Sequence, residues 1–571
     1  MCPKVQDHWL NSYANNQHFW KPSPSQNGHT SFARPLGLVE TSFDTDGTYF
    51  GGRADMTAIL KLEIRHVLDK AAFRKRIASA WTLLRLQHVL LMSRVQDDSD
   101  GKRCFVIDVP KTAEAATRNV EESITWLEDL GFGEGIEDDD LYYHAINVGR
   151  IIQPTKCLSK IHVLPLRRQQ NGSTYGLSIL IVMAHQISDG LSAYNWFNHF
   201  IRILNTPLPL ILEEIKTSIQ VEQMRARLPS AQEDLYTKVA GNKARQRWFW
   251  AIMRVLRHVQ KTMPPTFTNP LRREKRLEKA MTLPQTYASV FDYSEASHPP
   301  MSSGHIVASL SPTASARLIS LCREANLSIG AGCFALVGLS MMAMHASKSP
   351  STTFQSAFGA SFPLNPRAFF STPVEADSCM LAFSEGILMP FVPSSLPIEK
   401  RFILVAKHAN TGLRVYQKRL KDGSQILGSF DKYSSQRLLA TGYLAQIERV
   451  DAKLPEEKRS GVSAQGQLKP RIAQYGATCG VSSVGSLKAY FRPGEHDIND
   501  IQGKDFVADY RGLKMGVRAR ENEFLIGSST DANGIVGFSV SYDMNAISQE
   551  AAQKWAETIS GLLERGEGPQ L

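Results

Sequence analysis

Leu177-Ser-Ile-Leu-Ile-Val-Met-Ala-His185-Gln-Ile-Ser-Asp189-Gly190 is the stretch that decides the reading of this chain. Leu177, Ile179, Leu180, Ile181, Val182 and Met183 form an almost unbroken apolar run, the pattern of a strand buried on both faces. Leu191, Tyr194, Phe197, Ile201 and Leu204 follow at helical spacing. His185 to Gly190 therefore sits between a buried strand and an apolar helix, where a reactive side chain can be held in place. Gly190 allows a tight turn and close approach of a ligand. An imidazole with a pKa near ~6.5 can take the proton of a hydroxyl as it attacks a thioester carbonyl. The imidazolium can then protonate the leaving thiolate. No serine or cysteine nucleophile is needed if both reactants meet at the histidine.

A bare His-x-x-x-Asp pattern is weak evidence in a chain with 15 histidines. A second match, His496 with Asp500, follows Gly494 in a polar stretch with no apolar strand before it, and reads as a surface loop. From the residues alone, His185 also fits a core histidine at a strand end, with Asp189 only capping the next helix near Ser192.

Working outward, Thr57 to Ile64 suits a strand. Asp69 is a candidate N-cap for a helix with the stripe Phe73, Ile77, Trp81 and Leu84. Arg245 to Val259 is amphipathic, and the prolines between Met263 and Pro270 predict a linker. From Ser302 the pattern restarts: a strand over Ile306 to Leu310, a helix through Leu318, Leu321 and Cys322, and an apolar helix over Cys333 to Met344. Asp451 to Pro470 is polar and predicts an exposed, mobile loop. Asn533-Gly534 marks a hairpin, after which Val536, Phe538, Val540 and Tyr542 alternate as in a half-buried strand. A helix with Ile547, Ala551, Trp555, Ile559 and Leu562 closes the chain. The expected class is α/β, with two lobes over residues 1–225 and 301–571 joined by a crossover at 226–300.

The net charge is +10, but it is local. Eleven Lys and Arg stand against Glu274 and Glu278 between Lys243 and Lys279, a balance of +9. That concentration argues against a general nucleic-acid binder. It fits attraction of a phosphate-bearing ligand, a solvated crossover helix, or contact with a membrane surface through Trp248, Phe249 and Trp250. Seven cysteines without a CxxC pair predict neither a disulfide framework nor a zinc site. Residues 1–23 lack a secretory pattern. The longest apolar run, Cys333 to Ala346, is shorter than the ~20 residues that span a bilayer. A cytoplasmic monomer without an integral membrane segment is expected.

The histidine motif resembles the active-site motif of the coenzyme A-dependent acyltransferase superfamily, which includes chloramphenicol acetyltransferase and peptide-synthetase condensation domains. Further stretches agree in order. They are Phe73 to Leu91 with its Arg-Leu-Gln-His segment, Ser361-Phe-Pro-Leu-Asn-Pro-Arg367, Val481-Ser482-Ser483-Val484-Gly485, and Gly537 to Asp543. The resemblance spans roughly Phe32 to Leu563. It implies two chloramphenicol-acetyltransferase-like lobes with an active-site tunnel between them and His185 midway. It also implies that Asp189 turns away from substrate to pair with a second-lobe arginine, for which Arg367 is the candidate. Ser482 and Ser483 are candidates to bind substrate or the oxyanion. Ala184 replaces the second histidine usual in condensation domains, and Asp505-Phe-Val-Ala508 does not fit the Asp-Phe-Gly-Trp of plant members. Phe32 to Glu40 and the Ser482 stretch look most like the fungal trichothecene 15-O-acetyltransferase and alcohol acetyltransferase branch. The resemblance thus implies acetyl-CoA as co-substrate, no permanently bound cofactor, and a terpenoid-like alcohol of secondary metabolism as acceptor. A carrier-protein-dependent condensation or ester-forming domain is the alternative.

Overall fold

A computed structural model describes residues 9–24, 30–170, 172–259, 264–279, 281–294, 302–348, 355–422, 431, 434–468 and 477–564. The first half contributes helices α1 (Leu38–Tyr49), α2 (Lys70–Gln87) and α3 (Gly190–Leu204). Its strands are β1 (Met56–His66), β2 (Ile124–Trp126), β3 (Ser159–Val163) and β4 (Tyr175–Met183). The crossover contains α4 (Lys243–His258). The second half adds β5 (Ser303–Ser309), α5 (Pro312–Glu324), α6 (Ile329–Lys348), β6 (Phe358–Ser361) and β7 (Ile387–Met389). It continues through α7 (Ser435–Lys453), β8 (Cys479–Ser486), β9 (Phe506–Val517), β10 (Phe524–Thr530), β11 (Val536–Asp543) and α8 (Gln549–Gly561).

Two six-stranded sheets carry the two lobes. The first runs β9-β1-β4-β3-β2, with Arg167–Arg168 pairing off β4. The second runs β5-β11-β10-β8-β6-β7. β4 is central in the first sheet, antiparallel to both β1 and β3, and its residues from Ile179 to Met183 are at most 3% exposed. That double burial is why its sequence is continuously apolar. Asp69 caps α2 by accepting from Ala72 N at 2.8 Å. Trp81 of α2 meets Phe200 of α3 edge-on at 5.8 Å, which fixes α3 over the same core.

β9 comes from the second half of the chain yet pairs along its length with β1, from Phe506 opposite His66 to Val517 opposite Met56. The lobe expected over 301–571 thus gives one strand to the first sheet. The crossover divides as well: Phe249, Trp250 and Met253 lie in the second core, while Tyr287 and Phe291 lie in the first.

Three local expectations need correction. Asp451 belongs to α7, and its carboxylate accepts from Ser460 N at 2.7 Å and Gly461 N at 3.0 Å. Gln465 is 2% exposed and accepts from the buried Arg257 at 2.9 Å. The segment is exposed over most of 456–468, as expected, and is anchored at Asp451 and Gln465; residues 469–470 lie outside the described residues. The proline-rich stretch is likewise tied down, with Phe267 in the second core and its N donating to Ala357 O at 3.1 Å; Met263 lies outside the described residues. The apolar helix is longer than the run of apolar residues within it. α6 has 20 residues and is apolar enough by composition to cross a membrane, yet 72% of its apolar 18-residue stretch is buried inside the protein. It is the core helix of the second lobe. The hairpin at Asn533-Gly534 joins β10 to β11, with Gly534 at a φ of +84°, the left-handed conformation such a turn requires.

Candidate active site

His185 follows β4 and precedes α3, on a short turn held by Ile187 N donating to Ala184 O at 3.2 Å. Asp189 is the N-cap of α3 and is 3% exposed. Its two oxygens have separate duties. Oδ1 accepts from Leu191 N at 3.0 Å and Ser192 N at 2.9 Å, and Ser192 Oγ accepts from Asp189 N at 2.8 Å in return. Oδ2 accepts from Arg367 Nη1 at 2.8 Å and from Met380 N at 3.1 Å. The capping role and the inter-lobe pairing therefore coexist on one carboxylate. Arg367 also donates from Nη2 to Ser378 O at 2.5 Å and from Nε to Glu375 O at 3.2 Å.

These bonds dock the 375–381 segment of the second lobe beside the histidine. Asp377 extends the docking, its Oδ1 lying 2.6 Å from both Trp196 Nε1 and His88 Nδ1. The Cys379 thiol lies 3.9 Å from His185 Nδ1, and burial holds that thiol well above its ordinary pKa. Nδ1 is thus turned toward the docked segment.

One face of the imidazole is covered. The Phe43 ring of α1 stacks on it with centroids 3.8 Å apart and planes 3° from parallel. The Arg520 guanidinium stands 5.5 Å from the Phe43 ring centre and is itself held by Asp46 at 2.9 Å. Lys453 reaches the same Asp46 at 2.7 Å. Burial pushes the His185 pKa down to about 4, with Arg520 acting in the same direction and a hydrogen bond to its own main chain opposing it. At neutral pH the ring is uncharged and in its base form. An imidazolium formed there during a reaction would face the negative π surface of Phe43.

His185 opens on a cavity of about 780 Å³ lined by both lobes, a size in the range of small-molecule sites. Val39 and Phe43 come from α1, Leu381 from the docked segment, Cys479 and Gly480 from β8, and Arg520 from the turn after β9. Arg272 and Arg449 also line it, both solvent-exposed, and neither forms an ion pair among the described residues.

The structure brings His185, Asp189 and Arg367 together. It does not bring Ser482 and Ser483 to this cavity, whose wall takes Thr478, Cys479 and Gly480 from the same chain segment. Ser483 is exposed, and the Ser482 carbonyl accepts from Ser528 Oγ at 3.4 Å. A register shift between Ser483 and Gly485 breaks the strand alternation just there. Gly190 is the first residue of α3, not in the left-handed region, and nothing lies within 4 Å of where its Cβ would stand. The protein itself does not require glycine at that position. His496 sits in a surface loop, its N donating to Asp509, while Asp500 pairs with Lys504 at 3.1 Å. Phe43, Asp46, Cys379 and Arg520 were not singled out by sequence. They come from three distant segments, Phe43 and Asp46 sharing α1, and no local pattern marks them.

The fold is that of the two-lobed, chloramphenicol-acetyltransferase-like acyltransferases and condensation domains. Among solved structures, the chain is similar over 96% of its length to TRI3 trichothecene 15-O-acetyltransferase from Fusarium sporotrichioides, covering 97% of that chain, with a TM-score of 0.63 and 11% identity. It is also similar to the condensation domain of the Monacolin K polyketide synthase MokA, over 93% of this chain and 96% of that one, with a TM-score of 0.50 and 10% identity. No family model and no curated protein sequence matches the chain.

Proposed function

We propose that this chain is an acyl-CoA-dependent O-acyltransferase that moves an acetyl group to a hydroxyl of a small natural product, with His185 as general base. The observation that carries the reading is the uncharged His185 ring on an inter-lobe cavity, its loop fixed by Asp189 and Arg367. A neutral imidazole accepts the hydroxyl proton as the oxygen attacks the thioester carbonyl. The tetrahedral intermediate then collapses, and the imidazolium returns the proton to the departing thiolate. Asp189 and Arg367 position the loop, and Phe43 holds the ring plane. Holding both reactants in one cavity supplies much of the rate. Arg272 and Arg449, exposed cations on the cavity wall, are suited to the phosphates of acetyl-CoA.

The acceptor we propose is an apolar, terpenoid-like alcohol such as a trichothecene, which Val39, Leu381, Phe383, Leu438 and Phe524 on the cavity wall would suit. The two lobes, with Phe506 to Val517 completing the first, would then hold the two substrates in a cytoplasmic monomer. Condensation domains share the fold, so a carrier-dependent reaction is the competing reading; Ala184 in place of their second histidine disfavours it. The test is purified protein incubated with labelled acetyl-CoA and a panel of hydrophobic alcohols, with no carrier protein present. Ester formation supports the proposal. Transfer only from carrier-bound acyl groups would favour the competing reading.

A further inference from the structure

α4 (Lys243–His258) has two apolar faces. Phe249, Trp250 and Met253 point inward and are buried. Ala244, Trp248, Ala251, Val255 and Val259 point outward and are exposed, with Trp248 at 65%, Val259 at 57% and Val255 at 46%. At 3.6 residues per turn the outward set falls on one narrow stripe. The helix contains no Asp or Glu. Lys243, Arg245 and Arg247 are exposed beside the stripe, and none of the three forms an ion pair among the described residues. A solvated crossover helix needs a polar outer face, and this one presents a tryptophan and two valines there.

We propose that the outer face of α4 docks on an anionic lipid surface. Tryptophan partitions to the interface between headgroups and acyl chains. A narrow apolar stripe flanked by cations is the pattern of a helix lying in that plane. Charge complementarity selects an acidic surface. A nucleic-acid backbone would gain nothing from Val255 and Val259. The inference stands apart from the catalytic assignment, because it needs only the helix and its exposed residues.

The test is co-sedimentation of the full chain with two vesicle types: phosphatidylcholine alone, and phosphatidylcholine with one third phosphatidylserine. Binding is expected to the second only. It should be lost at ~1 M salt, where the Debye length is ~3 Å. Each basic residue near an acidic surface is worth roughly fivefold in partitioning. Replacing Lys243, Arg245 and Arg247 together by Gln should therefore lower binding on the order of 100-fold. Trp248→Ser should lower it about 10-fold. All four side chains are exposed, so thermal unfolding should be unchanged in both variants. The proposal is overturned if wild type stays in solution with acidic vesicles, or if it binds them as well after these substitutions. Binding to polyglutamate or RNA but not to vesicles would overturn it as well, and would assign the face to a polyanion.

Discussion

Arg367 reaches from the second lobe to the first and donates from Nη1 to Asp189 Oδ2 at 2.8 Å, with both side chains at most 6% exposed. The contact joins the 375–381 segment to the cap of α3, so the histidine loop and the segment covering it are held by one ion pair. Asp189 cannot be replaced by its amide without loss. Asparagine has one acceptor oxygen, whereas the carboxylate serves Leu191 N and Ser192 N on one side and Arg367 and Met380 N on the other.

Asp189→Asn and Arg367→Gln should each lower activity and stability. Breaking a buried pair by removing one partner costs about 3–5 kcal/mol. The two changes should be strongly non-additive in a double-mutant cycle read by thermal unfolding and kcat/KM. Additive losses would reduce Asp189 to a helix cap, whose removal costs only ~1 kcal/mol.

The pH dependence separates catalysis from stability. Burial pushes His185 down to about 4, so kcat/KM should hold well below the ordinary histidine pKa of ~6.5. His162 and His305 are pushed down to about 3, chiefly by burial. A pKa lower in the folded than in the unfolded chain means the unfolded chain takes up protons first as pH falls. The stability these groups contribute is whole above ~6.5 and drains away below it, by about 1.4 kcal/mol per pKa unit per group. The melting temperature should therefore fall between neutrality and about pH 5 while kcat/KM does not. An acid limb of kcat/KM near ~6.5 would contradict the assignment of a desolvated His185.

Phe43 is a positioning residue with its own signature. Phe43→Ala admits water to the covered face of His185, which should move the acid limb upward. It should also lower kcat by roughly 2- to 30-fold through loss of a cation–π contact worth about 0.5–2 kcal/mol. Phe43→Tyr keeps the stack and should restore both values. A uniform loss at every pH, with no movement of the limb, would leave Phe43 a packing role only.

Arg272 and Arg449 should act on one substrate alone. Their joint replacement by Gln should raise the KM for acetyl-CoA, leave that for a neutral alcohol unchanged, and flatten the salt dependence of the first. Arg276 is not a suitable target, since it pairs with the buried Asp543 at 2.8 Å and its loss would leave that carboxylate without its ion-pair partner. Equal shifts in both KM values would remove the two arginines from the donor site.

Local periodicity carried much of the fold. The apolar run ending at Met183, the cap at Asp69 and the turn at Gly534 each depend on neighbours in sequence, and the structure contains all three elements. The strand exchange of β9 could not be read in that way, because Phe506 to Val517 finds its partner more than 400 residues away in β1. The site divides along the same line. His185 and Asp189 lie on one turn, so their spacing is visible in the sequence. Phe43, Cys379 and Arg520 reach the imidazole only through tertiary packing. Ser482 and Ser483 are candidates only through the resemblance of the Val481 to Gly485 stretch, and the register shift before Gly485 interrupts the strand there. Trp248 was legible as part of an amphipathic stretch, but periodicity alone did not separate its exposed face from the buried face of Phe249 and Trp250.

The central claim is that His185 is the base in acyl transfer from free coenzyme A thioester to a hydroxyl. It is tested most directly by measuring ester formation from labelled acetyl-CoA and a responsive hydrophobic alcohol with wild type, His185→Ala and His496→Ala. The account predicts ester from wild type, a loss of about 10²- to 10⁴-fold in His185→Ala at an unchanged melting temperature, and near wild-type turnover in His496→Ala. Full activity in His185→Ala, or loss of activity in His496→Ala instead, would contradict it.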